Sequence, residues 1–453
     1  MPTAAEELDT PSGWSKPTHL ERPDRGQRRV LASSYAIAGR FRARAVRGRP
    51  DEAMMAGQTP MMTSTELRDL ADRRAPVAEP CCRPPRRNVR TNAVVAMFLV
   101  VGLLANSCAS KPALLAQNNP DRYRLAQDVH WASPDGFALT MDIYTPKSGQ
   151  EPYPVLMIFH GGGWLVNNKS IMTQASEYIA TNAEFVVCNI NYRLLTDQEN
   201  TVTIDQIVED VFGAVLWVQE NIGRYQGDPT RIAVTGDSAG GHLSAMIVNS
   251  GHQLDARGYT PETLAFNPSY LPPGKTAEQI ADDGGIQVQA AILSYGAFDL
   301  YQSSLDGYES WANPFWLLAG ARPRGFLGPD IDVATHAELY MGVSPFYNIP
   351  TSDLRALPPQ LLTAGSEDRL VTPASVQRYQ KRLDEAGHPT AYWEYEGRNH
   401  AFLDSGSSLL LGSSFEEDAP VALDVMIQFL HGVFPHKLAA TAATIEAQLA
   451  AGR

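Results

Sequence analysis

The sequence contains few cysteines, and none of them is arranged to bind zinc or to form an obvious disulfide. Only four of the 453 residues are cysteine. Cys81, Cys82 and Cys108 precede the main body of the chain, and Cys188 lies in an apolar run typical of a buried strand. The body therefore offers neither a disulfide framework nor a Cys/His zinc site.

Excess positive charge, phosphate-binding loops and long apolar runs are also missing. The net charge of −13 argues against a nucleic-acid partner. The chain has neither Gly-x-x-x-x-Gly-Lys nor Gly-x-Gly-x-x-Gly, which argues against a P-loop or dinucleotide site. The uncharged run at 93–105 has thirteen residues, too few to span a bilayer comfortably as a helix.

The beginning of the chain differs in charge from the rest. Residues 1–107 hold 17 basic and 11 acidic residues, whereas the remainder holds 20 and 39. Four arginines precede the apolar run, and small residues and Cys108 follow it, as in a secretory signal. We predict a signal peptide or lipoprotein signal at 93–108. Residues 1–92 are interpreted as a disordered extension or as sequence upstream of the true start codon.

Three outcomes of processing stay open at this point. The residues before Cys108 resemble a bacterial lipobox, which would make that cysteine a lipidated N-terminus attached to a membrane. The second possibility is cleavage without lipidation after Ser107 or Ser110. The third is an uncleaved membrane anchor. We expect an exported protein that is periplasmic, lipid-anchored or secreted.

The body alternates strand-like and helix-like patterns. Predicted strands are Phe137–Tyr144, Val155–Phe159, Glu184–Ile190, Arg231–Thr235, Ala290–Ser294, Gln360–Thr363 and Ala391–Tyr395. Predicted helices are Ile171–Thr181, Ile204–Ile222, Pro373–Glu385 and Pro420–Leu430. This alternation predicts an α/β fold with a mainly parallel central sheet and helices on both faces, formed by one catalytic domain over 109–453.

Two stretches interrupt this alternation. Residues 251–288 are rich in Pro, Gly and Asp, and residues 300–345 hold several aromatic side chains among Gly and Pro. Both follow strands at the edge of the sheet where a nucleophile would lie. We interpret them as a cap that shapes an apolar acyl or aryl pocket. The alternative is that they are ordinary insertions whose aromatic residues pack on themselves.

Gly236-Asp237-Ser238-Ala239-Gly240 forms a Gly-x-Ser-x-Gly motif between a predicted strand and a helix-like run. In that context the motif predicts a nucleophile elbow, in which a strained turn exposes the serine hydroxyl. Serine needs a base within hydrogen-bond reach and a carboxylate to orient that base.

The order of residues in this fold predicts the base and the acid. The expected order is serine, acid, histidine. His400 follows the predicted strand Ala391–Tyr395 and is the candidate base. Asp368, in the loop after Gln360–Thr363, is the candidate acid, with the adjacent Glu367 as the alternative.

His160-Gly161-Gly162-Gly163-Trp164 follows the predicted buried strand Val155–Phe159. Its glycines would let backbone N–H groups approach a developing oxyanion. The N–H of Ala239, after the nucleophile, would be the third donor. Asp237, Asp210 and Arg193 are interpreted as structural.

The two glycine motifs, the Asp368 loop and Asn399-His400-Ala401-Phe402 resemble those of the hormone-sensitive-lipase-type carboxylesterases of the α/β-hydrolase superfamily. Met141-Asp142-Ile143-Tyr144 is similar to the neighbouring feruloyl and acetyl-xylan esterase-like group. The resemblance covers roughly residues 128–432. Two positions depart from the family pattern: Arg369 stands where proline is usual, and Asn399 where glycine is usual.

The resemblance implies Ser238 as nucleophile, His400 as base and acid, and Asp368 as the group that orients it. Gly162, Gly163 and Ala239 would form the oxyanion hole. It implies no metal and no organic cofactor.

We therefore expect a serine carboxylesterase that hydrolyses short-chain acyl or aryl esters of small molecules through an acyl-enzyme. An amidase, arylformamidase or exopeptidase with the same triad is one alternative. A non-catalytic binding protein on a hydrolase scaffold is the other. The sequence makes no prediction of oligomeric state.

Overall fold

The computed structural model describes residues 121–149, 151–388, 390–409 and 411–435. The predicted N-terminal extension at 1–92 and the signal at 93–108, with Cys108, lie outside these ranges. Within them, no helix combines the length and the apolar composition needed to cross a membrane.

An eight-stranded sheet forms the centre of the fold. The strands are β1 (Tyr123–Ala132), β2 (Leu139–Pro146), β3 (Tyr153–Phe159), β4 (Val186–Ile190), β5 (Gly227–Asp237), β6 (Ala290–Ser294), β7 (Gln360–Gly365) and β8 (Thr390–Tyr395). Their spatial order is β1-β2-β4-β3-β5-β6-β7-β8. β1 pairs with β2 and β2 with β4 in antiparallel fashion, whereas all other neighbours are parallel. The predicted mainly parallel sheet is confirmed.

The helices occupy the connections between strands, except for the last, which follows the final strand. They are α1 (Thr173–Asn182), α2 (Ile204–Asn221), α3 (Ala239–Ser250), α4 (Ala277–Asp282), α5 (Leu300–Leu305), α6 (Pro314–Leu318), α7 (Ala337–Gly342), α8 (Pro373–Glu385) and α9 (Phe415–Val433). Shorter helical turns lie at Pro134–Gly136, Lys169–Met172, Asp197–Asn200, Ile222–Tyr225 and Pro345–Tyr347, and a small hairpin pairs β9 (Ser407–Ser408) with β10 (Ser413–Ser414).

The sequence did not predict β1. A register shift between Ala126 and Val129 interrupts its pairing with β2, and Asp128 adopts φ 52°. A bulge of this kind breaks the alternation of apolar and polar residues by which an edge strand is recognised. α9 begins at Phe415 rather than at Pro420, and its first turn carries acidic side chains that suit a helix N-terminus.

The sheet separates two apolar cores. Along β3, Val155, Met157 and Phe159 face one core, and Leu156 and Ile158 face the other. This division follows from the alternation of side chains along a strand. α2, α3 and α8 cover the first core, while α1 and α9 cover the second. Both faces of the sheet are therefore buried, as a parallel sheet requires.

A buried ion pair joins the loop after β4 to α2. The Arg193 guanidinium donates from Nε and Nη2 to the two carboxylate oxygens of Asp210, each at 2.9 Å, and both side chains are almost completely buried. Ser269 also donates to Asp210. A second carboxylate, Asp135, accepts from Nη1 at 3.0 Å but is 66% exposed.

We expect Asp210→Asn to destabilise the protein by about 3–5 kcal/mol, because it removes the buried counter-charge of the guanidinium and leaves only the exposed Asp135. Urea unfolding followed by circular dichroism would measure this loss. Asp135→Asn is the matched control: it removes the exposed partner of the same Arg193, and should cost about 0–1 kcal/mol. Equal losses for the two variants would contradict the assignment of Asp210 as the dominant partner.

The two insertions have different surroundings. The stretch 251–288 joins α2 and α7: the Asn267 N–H donates to Glu209 of α2 at 2.8 Å, and the Tyr259 hydroxyl donates to the Leu339 carbonyl of α7 at 2.7 Å. Residues 300–345, hereafter the cap segment, include α5, α6 and α7. The end of this segment contacts α3, because His242 bonds the Val343 carbonyl through Nε2 at 2.8 Å.

Candidate active site

Ser238 lies at the sharp turn between β5 and α3. Its backbone has φ 52° and ψ −113°, a strained conformation for a residue with a side chain. Glycine is required on both sides, because a Cβ on Gly236 would overlap the backbone of Gly240, and one on Gly240 would overlap the carbonyl oxygen of Phe159. The local sequence therefore permits α3 to begin tight against β3, with Ser238 at the carboxyl edge of the sheet.

The structure brings Ser238, His400 and Asp368 together. His400 Nε2 lies 2.9 Å from Ser238 Oγ, and His400 Nδ1 lies 2.7 Å from Asp368 Oδ2. In the sequence, Ser238 and His400 are 162 positions apart, and Asp368 and His400 are 32 positions apart. His400 and Asp368 are buried, and the Tyr295 ring packs edge-on against the imidazole at 4.8 Å. The geometry is that of a nucleophile, a base and an orienting carboxylate.

The loop after β7 fixes the carboxylate. Asp368 Oδ1 accepts the N–H groups of Leu370 and Val371 at 2.9 and 3.0 Å, which leaves Oδ2 for the imidazole. Glu367, the alternative acid, is exposed to solvent. The Asn399 side chain accepts the His400 N–H at 2.9 Å, so this departure from the family pattern orders the histidine loop.

The glycine-rich loop at 160–164 after β3, hereafter the oxyanion loop, lies beside the elbow. Gly162 and Gly163 have φ of 121° and 61°. Within the described ranges, no acceptor bonds the N–H of either residue. Ala239 is the first residue of α3, where a backbone N–H has no partner inside the helix. These three N–H groups are the donors that the sequence predicted for the oxyanion.

His160 anchors this loop as a neutral side chain. Burial lowers the pKa of His160 to about 4. The ring stacks on Tyr192 at 4.3 Å, and its Nδ1 lies 2.8 Å from the Gly161 carbonyl. The Tyr192 hydroxyl also donates to the His160 carbonyl. The imidazole therefore holds the loop without adding a positive charge to the site.

The cap segment touches the oxyanion loop through Tyr308, which the sequence did not single out. The Tyr308 hydroxyl donates to the Gly163 carbonyl at 2.7 Å. Its ring stacks on Phe326 at 5.0 Å, and Trp164 packs edge-on against Phe326 at 5.4 Å. The aromatic residues thus pack both on one another and on the glycine loop. Only the aromatic composition of the segment pointed to this contact, because no sequence spacing relates residue 308 to residue 163.

We expect Gly163→Ala to lower kcat by about 10²–10³-fold, the usual effect of losing one oxyanion donor. A Cβ at this position would lie 2.5 Å from the Tyr308 hydroxyl, and the backbone has positive φ, so the loop has to move. Steady-state kinetics on a p-nitrophenyl ester would measure the loss. Gly136→Ala is the control: its φ is 79° and its Cβ would meet nothing within 4 Å. An equal loss in both variants would contradict a local role for Gly163.

Metal ligands are not grouped in this region. Across the described residues, no three His, Cys, Asp or Glu side chains are placed to hold a metal ion.

The sequence is similar to a protein-family model and to curated esterases. A family model described as BD-FAE matches residues 141–383. Carboxylesterase NlhH of Mycobacterium tuberculosis is 28% identical over 228 residues, covering 50% of this chain and 60% of that protein. Esterase LipQ of the same organism is 29% identical over 252 residues, covering 55% and 50%. The chain therefore spans about half the length of these curated relatives.

Solved structures of esterases also match. An esterase from Thermogutta terrifontis with propionate bound has 21% identity and a TM-score of 0.48, covering 70% of this chain and 96% of that one. A truncated carbohydrate esterase from gut microbiota has 21% identity and a TM-score of 0.49, covering 68% and 95%.

The family match includes the glycine-rich loop, the elbow and Asp368, and it ends before His400. It confirms the family that the motifs predicted, and the mainly parallel sheet with helices on both faces agrees with the α/β-hydrolase fold. Since the matched residues make up more than half of the sequence, the chain belongs to the BD-FAE family.

Proposed function

We propose that this chain is a serine carboxylesterase that hydrolyses short-chain acyl or aryl esters through an acyl-enzyme. The observation that carries the proposal is the continuous hydrogen-bonded series from Asp368 through His400 to Ser238. The names of the curated relatives, a carboxylesterase and an esterase, support the same activity.

The proposed reaction has two halves. Ser238 Oγ attacks the ester carbonyl while His400 Nε2 takes the hydroxyl proton, and the imidazolium then donates that proton to the departing alcohol. Water attacks the acyl-enzyme with His400 again as base, which frees the acid and restores the serine. In each half, the N–H groups of Gly162, Gly163 and Ala239 stabilise the negative oxygen of the tetrahedral intermediate.

The cap segment supports an apolar acyl or aryl group of modest size as the substrate. Trp164, Tyr308 and Phe326 form an aromatic cluster next to the oxyanion loop. Trp164 and Phe326 are buried and Tyr308 is half-buried, so Tyr308 is the ring of this cluster that would meet a substrate. An apolar group suits that position better than a charged one, because burying an unpaired charge there is costly.

A substrate panel tests the proposal. p-Nitrophenyl esters of increasing chain length, a feruloyl ester, an acetylated sugar and the amide matched to the best ester should be compared. We expect turnover of the short esters and far slower turnover of the amide. A fluorophosphonate probe should label the wild type and not Ser238→Ala, which separates an enzyme from an inert scaffold.

Two outcomes would overturn the proposal. Turnover of the matched amide at the rate of the ester would favour an amidase or exopeptidase. Failure of the probe to label Ser238 would favour the non-catalytic alternative.

We further propose that the protein is exported. The support is the uncharged run at 93–105 with arginines before it and Cys108 after it. Mass spectrometry of the mature N-terminus should find cleavage near Ser107, with a lipid mass on Cys108 if the lipobox is used. An intact N-terminal segment in the mature protein would contradict cleavage.

A further inference from the structure

A second pair of carboxyl groups lies beside the triad and takes no part in the proposed reaction. Asp237 precedes the nucleophile, and Asp404 follows His400 in the next turn of the chain. Their side chains are within hydrogen-bonding reach of each other. Asp237 is 2% exposed, and Asp404, although half-buried as a residue, keeps its Oδ1 away from solvent.

Both side chains have a buried oxygen without a donor. Among the described residues, neither Asp237 Oδ1 nor Asp404 Oδ1 receives a hydrogen bond from a side chain or backbone N–H. Two ionised carboxylates in this position would repel each other and leave both oxygens unsatisfied. One proton held between the two groups removes both costs, because the protonated group becomes a donor.

The surroundings indicate which group carries the proton. Burial, the charge of Asp237 and the bond between them raise the pKa of Asp404 well above its ordinary value. Burial also raises the pKa of Asp237, but the facing His400 and the Gly161 N–H favour its charged form. The Gly161 loop lies so close that a Cβ there would overlap Asp237 Oδ2.

The other titratable groups around the pair are phenols. Tyr192 and Tyr295 both face Asp237, and Tyr295 also faces Asp404. Burial raises the pKa of each hydroxyl well above its ordinary value, so both stay neutral. The two carboxyl groups of the pair are therefore the groups whose charge state has to be assigned here.

We propose that Asp237 and Asp404 form a proton-sharing pair, with the proton on Asp404 and the negative charge on Asp237. Asp237 then acts as a positioning residue in two ways. It holds the first glycine of the oxyanion loop against the elbow, and it presents one fixed negative charge to the His400 imidazole. This inference rests on the proposed esterase function for its kinetic consequences, but the protonation state stands apart from activity.

The pair assists the step in which His400 becomes positively charged. Taking the Ser238 proton creates a buried imidazolium, which the carboxylates of Asp368 and Asp237 stabilise. The proton on Asp404 keeps a third negative charge away from this site. Because Asp237 holds Gly161, the N–H groups of Gly162 and Gly163 that follow it keep their positions.

Infrared difference spectroscopy tests the protonation directly. The wild type at neutral pH minus Asp404→Asn should show the carbonyl stretch of a protonated carboxyl group. Asp353→Asn is the control, since Asp353 is exposed and its replacement should leave that band in place. Absence of the band from the wild type, at a pH where the fluorophosphonate probe labels Ser238, would overturn the proposal.

Kinetic pH profiles test the positioning role. Asp404→Asn replaces the protonated donor by an amide donor, so kcat/KM should stay within about threefold of the wild type. Asp404→Leu has no donor, and we expect kcat/KM to fall at least about tenfold. Asp237→Asn combined with Asp404→Asn removes the shared negative charge, whereas Asp404 could ionise in the Asp237→Asn single variant. In the double variant the acidic limb of kcat/KM should move to lower pH, a change that a purely structural role would not produce.

The outcomes separate this inference from the proposed function. An unlabelled wild type that hydrolyses no ester contradicts the esterase proposal, while the infrared band still decides the protonation of Asp404. An active wild type in which Asp404→Asn loses activity as Asp404→Leu does contradicts the proton-sharing pair. So does an acidic limb that stays in place in the double variant with Asp237→Asn and Asp404→Asn. If Asp404→Leu fails to fold, the retained activity of Asp404→Asn and its missing band carry the test.

Discussion

Ser238→Ala is expected to lower kcat for a p-nitrophenyl ester by about 10⁶-fold, because the acyl-enzyme can no longer form. The residual rate should come from the oxyanion donors and substrate binding alone. Stopped assays at high enzyme concentration would measure it. Because the alanine methyl group fits wherever the serine side chain fits, the variant should keep its circular dichroism spectrum and melting temperature.

A matched serine outside the site controls for this change. Ser170→Ala alters an exposed residue in the helical turn Lys169–Met172 and should leave kcat unchanged. A Ser238→Ala enzyme that retains a large share of its turnover, or that is still labelled by the fluorophosphonate, would show that the nucleophile is elsewhere.

Asp368→Asn should lower kcat by about 10⁴-fold while leaving the fold intact, as expected when the orienting carboxylate of a triad becomes an amide. Asp368 Oδ2 lies 2.7 Å from His400 Nδ1 and accepts a hydrogen bond from its N–H group. An amide donor there would favour the imidazole tautomer that carries its proton on Nε2. That tautomer cannot accept the Ser238 proton.

The adjacent carboxylate gives the control for this second prediction. Glu367→Gln removes a negative charge one residue away, but Glu367 is exposed and should affect kcat little. Steady-state kinetics on the same ester would compare the two variants. If Glu367→Gln were the more damaging change, the acid would have been assigned to the wrong residue.

Most of the fold could be predicted from the sequence because its elements carry local signals. The buried strand predicted at Val155–Phe159 keeps its end but begins two residues earlier, at Tyr153, and the long helix keeps its predicted start at Ile204. β1 could not be predicted, because its bulge near Asp128 breaks the period of two that identifies a strand. The early start of α9 was missed because Pro420 is typical of a first helical turn, yet it lies inside this helix.

The candidate site, like the fold, could be predicted only in part from the sequence. The elbow needs glycines because its backbone packs closely, and the glycine-rich loop needs them because Gly162 and Gly163 have positive φ, so both could be predicted from the sequence. Tyr308 and Asp404 were not, because their partners are distant in sequence or lie across a turn. Asp237 was interpreted as structural. Its contacts with Asp404 and Gly161 show which groups it holds in place.

By itself, the sequence determined the strained turn at Ser238, the glycine bend after β3 and the order in which nucleophile, acid and base follow one another. These features depend on local sterics and on the periodicity of buried side chains. Only the tertiary structure decided that Asp368 rather than Glu367 meets His400, that Tyr308 bonds the oxyanion loop, and that Asp237 faces a second buried acid. Those contacts depend on how parallel strands align their carboxyl ends and on the direction in which each loop side chain points, which no local pattern encodes.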